Sequence, residues 1–100
     1  MYEFLIVRRD EGESWFDLLP SNYAQILHPT SFDWQQVEGW GNFRILVEGC
    51  EISFSDEMAG IQMVVECDLM PEDRAQRIAD EVLHNIGQVL GQTGEVIQTR

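Results

Sequence analysis

Few residues in this chain have a type and spacing that does chemistry. His28 and His84 are the two histidines. They fall on different elements with no third ligand at metal spacing, so no metal site is expected. His84 follows Asp80 by one helical turn and reads as a helix-surface residue paired with it, general-base work being the lesser alternative. Cys50 and Cys67 form no CxxC pair. They read as reduced and buried, with a disulfide or a redox role as the alternative. A nucleophilic Cys50 would need the fold to bring a histidine to it. Asp56-Glu57 and Glu72-Asp73 are carboxylate pairs, but calcium loops space their oxygens at alternate positions around a glycine turn. Glycines 39, 41, 49 and 60 make no phosphate cradle. The expectation is a chain with no catalytic residues and no cofactor, and therefore not an enzyme.

The acids are more informative. Between Arg44 and Arg74 there is no basic residue, while Glu48, Glu51, Asp56, Glu57, Glu66, Asp68, Glu72 and Asp73 all fall there. Strand alternation puts Glu48, Glu51, Glu66 and Asp68 on one sheet face, with Asp56 and Glu57 at its rim and Glu48 directly opposite Glu51. Like charges so opposed destabilise a sheet by up to about 1 kcal/mol. Such a face is either solvated surface or a docking surface for a basic partner, and the charge of the whole chain favours docking. Trp40 adds to this. Flanked by Gly39 and Gly41, with Asp33 and Glu38 nearby, it could be core, or a flat aromatic anchor inside a charged rim.

The elements that must position these residues follow from periodicity. Residues 2–9 read as a strand apolar on both faces, hence covered on both. Ser14 and Asp17 suggest a capping box opening a helical turn over Trp15 to Leu19. Pro20 stops it or starts the next segment, and Ser21 could cap a short helix through Tyr23, Ile26 and Leu27 that ends before Pro29. Residues 30–42 are irregular. Phe43–Val47, Ile52–Phe54 and Ile61–Cys67 alternate with period two as strands. A Gly49-Cys50 turn would pair Val47 with Ile52 and Ile45 with Phe54, and the loop 56–60 would pair Phe54 with Ile61. Pro71 stands where a helix begins and Gly91 where it ends. Between them Ala75, Ile78, Ala79, Val82, Leu83, Ile86 and Leu90 form one apolar stripe. Asp73 and Arg77 are a supporting four-apart pair, and Gly87 suggests close packing on a strand. Glu95–Gln98 is a last strand. The fold class is α+β: an antiparallel β-meander with one long C-terminal-half helix on one face and a short terminal strand, residues 1–100 forming a single domain.

The chain has 100 residues, enough for one modest core. Its 18 acidic residues against 6 basic ones, all arginine, give a net charge of −12. Such a chain repels phosphate backbones and anionic headgroups, so neither nucleic acid nor membrane is an expected partner. No secretory signal or spanning segment is read at the N-terminus, which implies a cytoplasmic protein, monomeric or weakly dimeric.

Over residues 37–100 the architecture resembles the small acidic immunity proteins of bacterial polymorphic and contact-dependent toxin systems. The stretch Glu51-Ile52-Ser53-Phe54-Ser55-Asp56-Glu57-Met58-Ala59-Gly60-Ile61-Gln62 is similar to a strand, acidic loop, glycine and strand in some of those families. The resemblance implies a cytoplasmic single domain that binds and neutralises a cognate toxin domain, expected to be basic. It assigns no contact residue. The competing reading is an acidic, dimeric secretion chaperone that masks an effector segment.

Overall fold

The computed structural model describes residues 1–10, 15–57 and 60–100. Six strands form one antiparallel sheet: β1 (Tyr2–Arg8), β2 (Gln35–Gln36), β3 (Phe43–Val47), β4 (Cys50–Glu57), β5 (Gly60–Val65) and β6 (Gly94–Gln98). Their order is β2-β3-β4-β5-β1-β6, so the first strand lies inside the sheet, between β5 and β6. That placement accounts for its two apolar faces. Phe4 and Ile6 belong to the main core, while Val7, on the opposite face, is buried too.

A short helix α1 (Tyr23–Ile26) and the long helix α2 (Glu72–Leu90) cover one sheet face. The buried stripe of α2 is Ala75, Ile78, Ala79, Val82 and Ile86, with Leu83 and Leu90 at its edge. It shares one core with Phe43, Ile45, Ile52, Phe54, Met63 and Val65, as alternation requires, and with Phe16, Ile26 and Leu27 from the irregular N-terminal third. Pro71 is the residue just before the helix, with Glu72 and Asp73 in its first turn, and Gly91 closes it at φ 69°. A Cβ at Gly87 would meet only Gln92 O at 3.7 Å, so tight packing is not the reason for that glycine.

Several expectations need correction. The hairpin turn is Glu48-Gly49, both with positive φ (51° and 82°), not Gly49-Cys50. A two-residue turn of that kind takes glycine readily and resists cysteine. The observed pairs are therefore Val47–Cys50, Ile45–Ile52 and Phe43–Phe54. Phe54 pairs with Met63, because β4 runs on to Glu57, opposite Gly60. Each register differs from the expected one by two residues. An even shift keeps every side chain on its face, so the core composition survives the error. Glu48 is not opposed to Glu51, whose partner is Leu46. Trp15 to Leu19 form no helix, and Ser14 of the expected capping box lies outside the described residues. Leu19 and Asn22, not Ser21, make the contact that opens the α1 region: Asn22 Oδ1 accepts from Leu19 N–H at 3.3 Å. On α2, Arg77 reaches Glu81 at 3.2 Å, not Asp73, and Asp80 accepts from Gln76 at 3.0 Å, not from His84. Finally, Cys50 and Cys67 are joined in a disulfide, with Cα atoms 5.6 Å apart, and are not a reduced pair. Cys67 lies two residues beyond the end of β5, where continuing the β4–β5 register past Ile52–Val65 brings it to Cys50, which sequence spacing alone does not show.

Candidate functional site

The far side of the sheet, away from α2, holds one unusual group. Arg44 on β3 is 8% exposed, and a buried guanidinium must be paired or it returns to water. Strand register supplies the partners. Glu51 on β4 and Glu66, just past the end of β5, share its face. Arg44 Nε donates to Glu51 Oε1 at 2.8 Å, and Nη2 donates to Glu66 Oε1 at 2.8 Å. Nη1 lies 2.6 Å from Glu66 Oε2. Glu66 thus accepts from the guanidinium through Oε1 and holds Oε2 in ionic contact with it, Oε2 having no hydrogen-bond partner. The hydrogen bond that Arg44 donates to Glu66, then that to Glu51, pushes the arginine pKa further up.

The loop between β2 and β3 folds onto this clamp. Trp40 lies over the guanidinium, 5.2 Å from Arg44 Cζ to the ring centre. The Trp40 carbonyl is 3.5 Å from Nη1. A Cβ at Gly39 would sit 2.3 Å from Arg44 Cδ, so the loop backbone rests directly on the arginine stem. Gly41 has φ 97° and lies against the Phe54 carbonyl and Ser55. The glycines on either side of Trp40 are thus required by close approach. Trp40 itself remains 54% exposed. Asn42 ties the loop to β4: its N–H donates to Phe54 O at 2.8 Å, and its Oδ1 accepts from Asp56 N–H at 2.9 Å. This ties the Asp56 backbone to the loop that carries Glu38 and Trp40. By alternation Glu57 shares the Arg44 face. The Asp56 side chain lies on the opposite face with Ile52 and Phe54, where its charge adds to burial in raising the Tyr23 pKa.

The expected acidic face divides accordingly. Glu51 and Glu66 do lie opposite the helix, but both are spent on Arg44. Glu48 sits in the hairpin turn and pairs with Arg74 at 2.8 Å. Asp68 lies beyond the strand end, where the N-terminal amine at 2.6 Å lowers its pKa by hydrogen bonding and charge. The carboxylates of Asp56, Glu57 and Glu38 have no cationic or hydrogen-bonding side-chain partner among the described residues. Sequence reasoning missed the clamp because it treated Arg44 as the border of an acidic tract. Its position two residues from the loop and on the same face parity as Glu51 was the available signal.

The remaining candidates stay apart. His28 stacks on Trp34 at 4.7 Å, with its ring nitrogens facing the carbonyls of Pro29 and Gln25. His84 stands in an open groove with Asp80, Leu83, Gln92 and Thr93. Cys50 Sγ is committed to the disulfide. Among the described residues, no group of three or more His, Cys, Asp or Glu is placed to hold a metal ion, and no helix is long and apolar enough to cross a membrane. The chain matches no family model, curated protein or solved structure with which it was compared.

Proposed function

We propose that this protein is an immunity protein that binds and neutralises a cognate, basic bacterial toxin domain, with Trp40 as the anchor of the contact. The observation that carries the reading is an exposed tryptophan fixed on a buried arginine clamp, beside Glu38 and Glu57, which have no cationic partner among the described residues. Interface hot spots are rigid aromatic side chains that the free protein already holds in place, because little entropy is then lost on binding. Unpaired acids around such an anchor favour a basic partner and disfavour a nucleic acid. The net charge of −12 extends the same preference over the whole surface.

The docking residues shift relative to the sequence expectation. Glu57 keeps the rim role, joined by Glu38, while Asp56 leaves it because its side chain lies on the opposite face, toward Tyr23. Glu51 and Glu66 support Trp40 from beneath, while Glu48 and Asp68 lie outside the contact. The compartment shifts as well. Cytosolic thiols are kept reduced, so the Cys50–Cys67 bond favours an oxidising compartment over the cytoplasm. In the reading the protein acts as a monomer or weak dimer.

The test is co-expression with the toxin domain encoded beside its gene. Wild-type protein is expected to protect the cells. Trp40→Ala, and separately the double reversal Glu38→Lys and Glu57→Lys, are expected to lose protection with an unchanged circular dichroism spectrum. Full protection by both folded variants would place the interface elsewhere. Co-purification of an extended segment in place of a folded domain would favour the secretion chaperone.

A further inference from the structure

We propose that the Cys50–Cys67 disulfide is a redox latch on the Arg44 clamp, setting the Trp40 surface when closed and releasing it when opened. The inference rests on the reading of Trp40 as the anchor, and it deepens that reading by naming its regulation. The two carboxylates that hold Arg44 are the chain neighbours of the two cysteines: Glu51 follows Cys50, and Glu66 precedes Cys67. β5 ends at Val65, so Glu66 is already outside the strand. Its backbone is held to β4 by its N–H to Glu51 O at 2.9 Å and by the adjacent disulfide. The next tie along the chain, Asp68 to the N-terminal amine, is exposed and so contributes little.

Opening the bond is ordinary thiol–disulfide exchange with a dithiol reductant. Cys50 is 2% exposed and Cys67 is the more accessible residue. The reductant thiolate attacks the Cys67 sulfur, forms a mixed disulfide and releases Cys50 as a thiolate. The second thiol of the reductant then closes its own disulfide, releases Cys67, and two protons complete two cysteine thiols. Two electrons pass from the dithiol to the protein. A segment past a strand end, freed of its cross-link, is where local opening begins. As Glu66 withdraws, Arg44 loses the carboxylate that fills its fork, and a buried guanidinium left with Glu51 alone turns toward water. Trp40 and Gly39 rest on that side chain and move with it.

The experiment needs no partner. Protein labelled with fluorotryptophan gives a fluorine resonance for each of the three tryptophans, assigned by single Trp→Phe variants. On complete reduction by dithiothreitol, verified by thiol titration, the Trp40 resonance is expected to shift while Trp15 and the far-ultraviolet circular dichroism stay constant. In Arg44→Met the resonance should already be displaced in the oxidised protein and should not respond to reductant. An unmoved Trp40 signal in fully reduced wild type overturns the latch. Melting of the whole sheet on reduction overturns it equally, because the bond would then hold the fold and not the clamp. Failure here leaves the toxin-protection result of Trp40→Ala untouched, whereas a responsive Trp40 with full protection by Trp40→Ala would sink the anchor reading alone.

Discussion

At the scale of single residues, two carboxylate clamps show how burial and pairing decide what an acid does. Glu66 and Glu51 neutralise a buried arginine and hold an aromatic ring at the surface. Glu81 on α2 instead fastens a loop. It accepts from the backbone N–H groups of Thr30 and Ser31 at 2.8 and 3.0 Å, from the Ser31 hydroxyl, and from Arg77. Burial alone would raise its pKa, but these hydrogen bonds outweigh burial and bring it from 4.5 down to about 2. A carboxylate whose pKa falls on folding stabilises the fold above its unfolded pKa, and the contribution is lost as pH drops through the folded value. Glu81→Gln should therefore unfold more easily than wild type by up to about 3 kcal/mol near neutral pH. The difference should shrink below pH 4.5 and vanish near pH 2. Denaturant titrations of both proteins across that range check it, and a gap that is constant with pH would show that the Glu81 charge contributes nothing.

Among the elements, α2 carries a correctable defect. Gly87 lies inside a 19-residue helix, and an added Cβ meets nothing closer than 3.7 Å. Alanine there should stabilise the protein by about 0.5–1 kcal/mol through helix propensity alone, raising the unfolding midpoint. The core between this helix and the sheet responds differently. Phe54, fully buried on β4, should cost about 3–5 kcal/mol on truncation to Ala. Leu83, at the edge of the stripe, should cost clearly less than Phe54. Equal losses for Leu83→Ala and Phe54→Ala would mean that the helix is rotated relative to the sheet.

For the molecule as a whole, the proposed function makes charge the factor that governs the approach of the toxin domain. Exposed carboxylates at Glu38 and Glu57 act over roughly one Debye length, about 8 Å at physiological salt. Association with a basic toxin domain should then be fast at low salt and slow steeply as salt rises, whereas the dissociation rate, set by Trp40, should change little. Stopped-flow binding over a salt series measures both. An on-rate insensitive to salt would show that the net charge of −12 serves solubility and not encounter.

How much of this was written in the sequence depends on the range of the interaction. Alternation and the apolar stripe determined the strands, the long helix, the α+β class and nearly the whole core, because local periodicity alone fixes which side of an element is apolar. The strand β1 was also legible as interior, from Phe4 and Ile6 on one face and Leu5 and Val7 on the other. Tertiary structure decided what depends on which strand lies beside which, and in what register. Registers two residues away bury the same side chains, so the apolar pattern could not choose between them; the positive φ values at Glu48 and Gly49 could. That choice places Leu46 across from Glu51 and Arg44 within reach of it, and the β4–β5 register, continued past Val65, brings Glu66 to the same arginine and Cys67 to Cys50. Two acids of a tract with no visible counter-charge thereby become the partners of a buried arginine under Trp40, because charge–charge contacts depend on distance in space, which the order of residues along the chain does not set.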